Sequence, residues 1–339
     1  SVLLANGDLN VGEAYVTDVG DLLLMTGANP ASAHLAIWDG VLRLGGDWAS
    51  PGLAHDHLYS FITNGWITAF TRIDPSAFIM TYTNGYTEVT AMLPIAEISS
   101  ITTNQADSAT WYEETLAGLY SDPVIVPGPL SYSDSQPSTL RIREIAVDSF
   151  ESQVDEWDDL DGSHMTETYG YMVAQTGRHV LALGGAEGIA MEAGHVGGVS
   201  NDWVVVPFSE PFASPPVVLV QVRTTNDATA AVCRLRNVAT NGFEVCLQGQ
   251  ENSVEHEAET VDYIAIEQHQ PTAGYEDSEA WSTGKAVDHE WATVLFTGAY
   301  ASPILIGHIQ STDEGDTCGL RCKNLDANGV EIMVEEEAS

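Results

Sequence analysis

Three kinds of side chain in this sequence have the type and spacing for chemistry. The first is a histidine–glutamate motif, His-x-x-Glu-Thr-x-x-Tyr. It occurs as His164, Glu167, Thr168 and Tyr171, and again as His256, Glu259, Thr260 and Tyr263. An imidazole beside a carboxylate suggests acid–base work. Catalysis by a side-chain nucleophile would also need that nucleophile and a third orienting group, and neither copy has them nearby. On a strand, positions i and i+3 point to opposite faces, so the two side chains are expected to be split across the sheet. The sequence also has no G-x-x-x-x-G-K phosphate loop and no nucleophile elbow. We read the chain as non-enzymatic, with His164 and His256 as structural or recognition residues.

The second is an acidic loop, Asp155-Glu156-Trp157-Asp158-Asp159-Leu160-Asp161-Gly162-Ser163-His164. Calcium takes six to eight oxygens, so Asp155, Asp158, Asp159 and Asp161 are candidate ligands and Ca²⁺ is the one cofactor considered. The EF-hand order fails, because Trp157 occupies the place of its first aspartate. The loop is also not a general feature, since the second copy reads Gly249-Gln250-Glu251-Asn252-Ser253-Val254-Glu255. His55, Asp56 and His57 have no further ligand at useful spacing and read as a surface loop.

The third is a basic pair that returns three times: Arg141/Arg143, Arg234/Arg236 and Arg321/Lys323. Alternation on a strand puts both members on one face. Glu151, Glu244 and Glu331 have the parity to lie opposite on the next strand. Such cross-strand pairs contribute about 0.2–1 kcal/mol each, so a solvated, ion-paired face explains them without a ligand. Yet the chain has only 11 basic residues against 49 acidic ones and places a basic pair in every copy. Arg141, Arg143, Arg234 and Arg236 are therefore kept as candidate ligand contacts.

These residues sit in a repeat. Trp111, Trp203 and Trp291 each stand nine residues before an aromatic, Tyr120, Phe212 and Tyr300. Arg141, Arg234 and Arg321 each follow a proline, Pro123, Pro216 and Pro303, by 18 residues. Agreement of such registers marks three copies of one small domain. Short apolar runs between Gly, Pro, Asn and Asp, with no long amphipathic stretch, predict strands. Residues 1–105 lack the repeat, but runs such as Leu22–Met25, Leu35–Trp38, Val41–Leu44, Trp66–Phe70 and Phe78–Met80 make them β-rich, with a hairpin turn at Thr83–Tyr86. The expected organisation is a β-rich attachment or oligomerisation domain at 1–105, then repeats at 106–198, 199–286 and 287–339. Residues 177–202 and 268–290 read as linkers holding short strands. Sixty residues separate Trp111 from Tyr171 and Trp203 from Tyr263, and the same count from Trp291 runs past Ser339. The third copy as given is thus expected to lack the His-x-x-Glu-Thr-x-x-Tyr strand and to leave Glu331–Val334 as an edge that a neighbouring subunit or the N-terminal domain completes, the equal alternative being a longer native chain of which this is a part.

The second copy carries the clearest likeness to a known family. Phe212-Ala213-Ser214-Pro215-Pro216-Val217-Val218-Leu219, then Arg234-Leu235, Thr240-Asn241-Gly242-Phe243 and Tyr263-Ile264-Ala265-Ile266 resemble the H-type lectins, also found at the end of discoidin-type lectins. The first copy resembles a variant common in microbial surface and phage-like proteins. The resemblance implies an all-β fold of tandem six-stranded antiparallel β-sandwiches, the third incomplete. It further implies a trimer that binds N-acetylgalactosamine-type sugars between subunits. The family's ligand arginine, four before Arg234, is Ala230 here and Pro137 or Thr317 in the other copies. Of its Trp-His pair, the first copy keeps Trp157 and then has Asp158; the second has Gln250 and Glu251. Trp157 beside Asp158 is the expected sugar platform.

The net charge of −38 is spread along the chain, as in proteins kept soluble in concentrated salt. No basic stripe exists for nucleic acid, and no run of about 20 apolar residues for membrane insertion. The four cysteines, Cys233, Cys246, Cys318 and Cys322, have no zinc spacing and read as free thiols. The start, Ser1-Val2-Leu3-Leu4-Ala5-Asn6-Gly7-Asp8, lacks the basic region of a signal peptide. The expectation is a virion-surface tail-fibre or spike subunit of a halophilic virus, a homo-oligomer contacting other virion proteins and binding cell-surface glycan or glycoprotein. The alternatives are a ligand-free fibre spacer or capsid decoration, and a secreted cellular lectin or adhesin.

Overall fold

A computed structural model describes residues 95–337, apart from 182–187, 251–255, 272–277, 285–286 and 314, together with seven strands between residues 13 and 91. The chain divides into two compact units, Ser1–Leu93 and Pro94–Ser339. Among the described residues there is no helix, and so none long and apolar enough to cross a membrane.

In the first unit, β1 (Glu13–Val16), β2 (Leu22–Met25), β3 (Ala33–Trp38) and β4 (Val41–Leu44) form an antiparallel meander. A second meander joins β5 (Ile67–Asp74), β6 (Ala77–Tyr82) and β7 (Thr87–Ala91). The apolar runs of the sequence became these strands. The expected turn at Thr83–Tyr86 and the His55–His57 loop lie outside the described residues.

The second unit starts with β8 (Ala96–Gln105), β9 (Tyr112–Thr115), β10 (Pro123–Ser131), β11 (Ser138–Arg143), β12 (Ser149–Glu156) and β13 (His164–Gln175). Strands β8-β13-β10 are neighbours in one six-stranded sheet and β9-β12-β11 form a separate three-stranded one. Ile101, Tyr120, Ile125, Leu140, Ile142, Phe150, Tyr169 and Val173 fill the core of this antiparallel sandwich. Strand β8 precedes the limit at 105 read from the sequence, yet pairs along its length with β13.

The next stretch repeats the order. It comprises β14 (Gly177–Leu181), β15 (Ile189–Val199), β16 (Val204–Pro207), β17 (Val217–Val222), β18 (Ala231–Ala239), β19 (Gly242–Gly249) and β20 (Glu259–Ile266). Strands β15-β20-β17 take the order of β8-β13-β10, with β14 added at the edge, and β16-β19-β18 take that of β9-β12-β11. The strands expected within 177–202 are there, and β15 is longer than expected, an inner strand between β14 and β20.

The last stretch gives β21 (Ala292–Leu295), β22 (Cys318–Asp326) and β23 (Gly329–Glu336), in the sheet order β21-β23-β22. Glu331–Val334 is not an edge, as the sequence reading had it. It lies on β23, which pairs with β21 on one side and β22 on the other. The three hairpins entering β12, β19 and β23 share a left-handed residue, Glu144 (φ 47°), Asn237 (φ 53°) and Asn324 (φ 52°). Asparagine tolerates that region well. At Gly242 and Gly329 the backbone carbonyls of Val206 and Val294 come so close that a Cβ would meet them at 2.4 and 2.5 Å, so neither position admits a side chain without the chain shifting.

Strand β10 is buried on both faces, and its alternation serves two cores. Ile125 points into the first sandwich, whereas Val124 and Val126 join Met172, Ala174, Met191, Ala193, Leu219 and Ile264 in a core shared by the first two sandwiches, with Ile306 of the third packed against it. The cysteines are free thiols, and three of them are buried. Burial pushes the Cys233 thiol well above its usual range and that of Cys246 up to about 11.

Candidate functional site

The basic pairs divide into an inner and an outer member. Strand pairing sets Arg143 opposite Glu151, Arg236 opposite Glu244 and Lys323 opposite Glu331, as the parity predicted. Arg143 Nε donates to Glu151 at 2.6 Å while its guanidinium stacks 4.1 Å from the ring centre of Trp111. Arg236 Nε donates to Glu244 at 2.6 Å and stacks at 4.0 Å on Trp203. Lys323 Nζ lies 3.8 Å over Trp291, and the neighbouring Asn324 amide donates to Glu331. Each copy therefore presents a half-buried indole, a cation and a carboxylate. The tryptophans were visible in the sequence as register marks, but their contact with the basic residues was missed. Its signal was their fixed spacing from the arginine pairs.

The inner members are buried and reach out of their own copy. Arg141 donates to the carbonyls of Asp227 (2.7 Å) and Ala228 (2.6 Å) in the second copy. Arg234 donates to Asp316 O at 2.7 Å in the third. Arg321, 1% exposed, returns to the first, donating to Ser131 O at 2.9 Å, Asp134 O at 3.0 Å and Glu167 at 2.9 Å. Each also meets an equivalent acceptor within its own sheet: Asp155 at 3.3 Å, Gln248 at 2.9 Å and Glu335 at 2.7 Å. The three copies thus close into a ring, each clamping the loop of the next. A parallel pairing of β10 with β22 adds to the junction between third and first. Sequence reasoning placed the arginines on one face correctly but not their inter-copy reach, because nothing local encodes it.

The carboxylates around Arg321 include the histidine motif. A β-bulge between His164 and Glu167 brings both to one side, so the expected split across the sheet does not occur. His164 Nδ1 is 2.9 Å from Glu156 and Nε2 is 3.4 Å from Glu167, all fully buried. Burial alone would lower the His164 pKa, but the bonds to Glu167 and Glu156 outweigh it and raise it. Burial also pushes on Glu167, yet the bonds from His164, Ser131 and the Asp134 N–H hold it below the usual carboxylate range. Glu167 closes the following turn through the N–H groups of Ser133 and Asp134, both at 2.9 Å. Glu259 does the same for Asn226 and Asp227 at 3.0 and 2.8 Å. His256 has a different place: its ring nitrogens face Glu257 O at 2.9 Å and Thr229 O at 3.2 Å.

The acidic loop is not arranged as expected. Trp157 is only 3% exposed, so its ring is part of the interior and offers no stacking platform. Asp155 faces Arg141, and burial raises its pKa to about 6 despite that cation. Asp158 is exposed and pairs with the Gln250 amide of the second copy, at 3.0 Å to its carboxylate once that amide is oriented to satisfy both groups. Asp159 and Asp161 are exposed. Among the described residues no group of three or more His, Cys, Asp or Glu side chains is placed to hold a metal ion.

No protein-family model matches the chain, and no solved structure matches it. Over 253 residues, 70% of this chain, it is 28% identical to Halomucin of Haloquadratum walsbyi. The matched stretch is 3% of Halomucin, so the chain spans a small fraction of that protein's length.

Proposed function

We propose that this chain is a non-enzymatic surface or extracellular protein of a halophile, and that it recognises cell-surface glycans through lectin-like repeats. The similarity to Halomucin fits a surface or extracellular protein of a halophile, and the net charge of −38 suits molar salt. The observation that carries glycan recognition is the threefold indole, cation and carboxylate set, Trp111/Arg143/Glu151, Trp203/Arg236/Glu244 and Trp291/Lys323/Glu331. An aromatic face beside a donor and an acceptor is what a hexose uses for stacking and hydrogen bonds. Three copies in one chain raise avidity without new contacts.

The test is a glycan array in molar salt with the wild-type chain and a triple variant, Trp111→Ala, Trp203→Ala and Trp291→Ala. Binding by the first and not the second supports the reading; no binding by the wild type removes it. One observation favours a ligand-free structural spacer instead. Trp157 is buried, and the inner arginines hold the copies together rather than facing solvent. A narrower form of the proposal places the chain on a virion as a spike or tail fibre. Similarity to a protein of a cellular organism supports the secreted or cell-surface form more.

A further inference from the structure

The copies meet at junctions of like geometry built from unlike groups. The backbone N–H groups of Ile125 on β10 and Val218 on β17 stand at equivalent places, two residues after Pro123 and Pro216. Ile125 N–H donates to Asp262 Oδ2 of the second copy at 2.8 Å, whereas Val218 N–H donates to the side-chain amide oxygen of Gln310 in the third. A carboxylate thus does at one junction what a neutral amide does at the other. In the first copy the place of Asp262 is held by Gly170, where the Leu305 carbonyl leaves no room for a side chain. Asp262 is fully buried and accepts from Arg223 Nη1 on both oxygens at 3.1 Å. The same nitrogen donates to Pro123 O of the first copy at 2.7 Å.

His195 on β15 stands opposite Asp262 on β20. Its Nδ1 lies 2.7 Å from Asp262 Oδ1, and its Nε2 lies 3.2 Å from Asp122 Oδ1 and 3.2 Å from Thr176 Oγ1. Asp262, His195 and Thr176 have the order of a catalytic triad, but the protons run the other way. The Thr176 hydroxyl donates its one proton to Asp122 O at 2.8 Å, so it has none for an imidazole base. Nε2 is therefore the donor, to Thr176 and Asp122. Nδ1, at 2.7 Å from a carboxylate oxygen, is a donor as well. A neutral imidazole has a single N–H, so the arrangement calls for the imidazolium. Among the described residues the charged groups against this ring are Asp262, Asp122 and Arg223. Burial alone would lower the His195 pKa, as would Arg223, but the bond to Asp262 and the charges of Asp262 and Asp122 outweigh them and raise it.

We propose that His195 is a proton-operated latch between the first and second copies: as imidazolium it ties Asp122 of the first to Asp262 of the second, and as neutral imidazole it releases Asp122 and loosens this junction while leaving the one at Val218 unchanged. Deprotonation sets a lone pair against one of the two carboxylates and removes one of the few cations in a chain of net charge −38. Because folding raises the pKa, the latch contributes fully below the unfolded value of 6.5 and is lost as pH rises through the higher folded value. The proposal does not depend on glycan recognition.

The test uses the full chain in molar potassium chloride. Imidazole nitrogen shifts are followed by NMR from about pH 5 to about pH 9, with His195 assigned by the signals lost in His195→Gln, and amide protection factors are read at Ile125 and Val218. One unit of pKa shift corresponds to about tenfold in an equilibrium. We expect protection at Ile125 to fall by about tenfold from pH 6 to pH 9, in step with His195, while Val218 holds its value within about twofold. Asp122 is half exposed, so Asp122→Asn is expected to fold, to lower the His195 midpoint and to move the Ile125 profile with it. Should His195→Gln not fold, the one imidazole signal displaced by Asp122→Asn supplies the assignment. A His195 midpoint at or below 6.5, protection at Ile125 that does not follow the imidazole, or equal losses at Ile125 and Val218 overturns the proposal.

Discussion

Replacing Arg321 with alanine is the sharpest perturbation of the ring. Its guanidinium is 1% exposed and donates to carbonyls of the first copy, to Glu167 at 2.9 Å and to Glu335 at 2.7 Å. Deleting it leaves two buried carboxylates without their cation, a loss of about 3–5 kcal/mol for a broken buried pair. For a unit the size of Pro94–Ser339, each kcal/mol moves the melting temperature by about 2–4 °C, so the fall is on the order of 10 °C. Arg143→Ala is the matched control. Its ion pair is about one-third exposed on each side and contributes about 1 kcal/mol or less, with roughly another 0.5–1 kcal/mol from the stack on Trp111. Molar salt shortens the screening length to about 3 Å, which weakens the exposed pair and leaves the buried one. Denaturant and thermal melts in molar salt measure both. If the penalty is uncompensated buried charge, adding Glu167→Gln and Glu335→Gln to Arg321→Met recovers part of it. Equal losses for Arg321→Ala and Arg143→Ala, within about 1 kcal/mol, would refute the reasoning.

Other expectations follow the same physics. The net charge of −38 repels itself in dilute buffer, so the melting temperature rises steadily toward molar salt; a flat profile contradicts a halophilic design. Trp157→Ala lowers stability by about 3–5 kcal/mol, as for a large core aromatic, and a melt unchanged by it would mean the ring is not interior. Burial raises Asp155 and Glu335 to about 6, above their unfolded values, so their stabilising contribution is present at low pH and lost as pH rises through about 6. His164, also raised, acts in the same direction, whereas the lowered Glu167 loses its contribution as pH falls below its unfolded value. In fixed salt the melting temperature is thus higher near pH 5.5 than near pH 8 and falls again below about pH 4. A maximum at pH 8 opposes this assignment.

Much of the fold was visible in the residues because strands write themselves locally. Alternation and punctuation by Gly, Pro and Asn located β2–β6, and the Arg236–Glu244 register followed from parity alone. The errors have definite causes. A bulge adds a residue and turns a side chain over, which is why His164 and Glu167 share a side. Only the start of strand β15, Ile189–Met191, shows in the apolar pattern, because its glycines, Gly194, Gly197 and Gly198, interrupt it further on; at Gly194 the Tyr263 ring lies where a Cβ would stand. The Glu331–Val334 expectation fails because β23 takes β21 as its second neighbour, a pairing between separate segments that no local pattern shows. Trp157 reads as a platform on the strength of its acidic neighbours, though a large aromatic just after a strand is as well suited to burial. The ring itself rests on contacts between residues 80 to 190 positions apart, and no local pattern records them.

Glycan binding by the wild-type chain and by the triple tryptophan variant, compared on one array in molar salt, tests the account most directly. The wild type is expected to bind a defined set of glycans, and the triple variant, Trp111→Ala, Trp203→Ala and Trp291→Ala, to lose them while still melting cooperatively. A wild-type chain that is folded, monodisperse and binds nothing on the array would contradict it and leave the ring as a structural spacer.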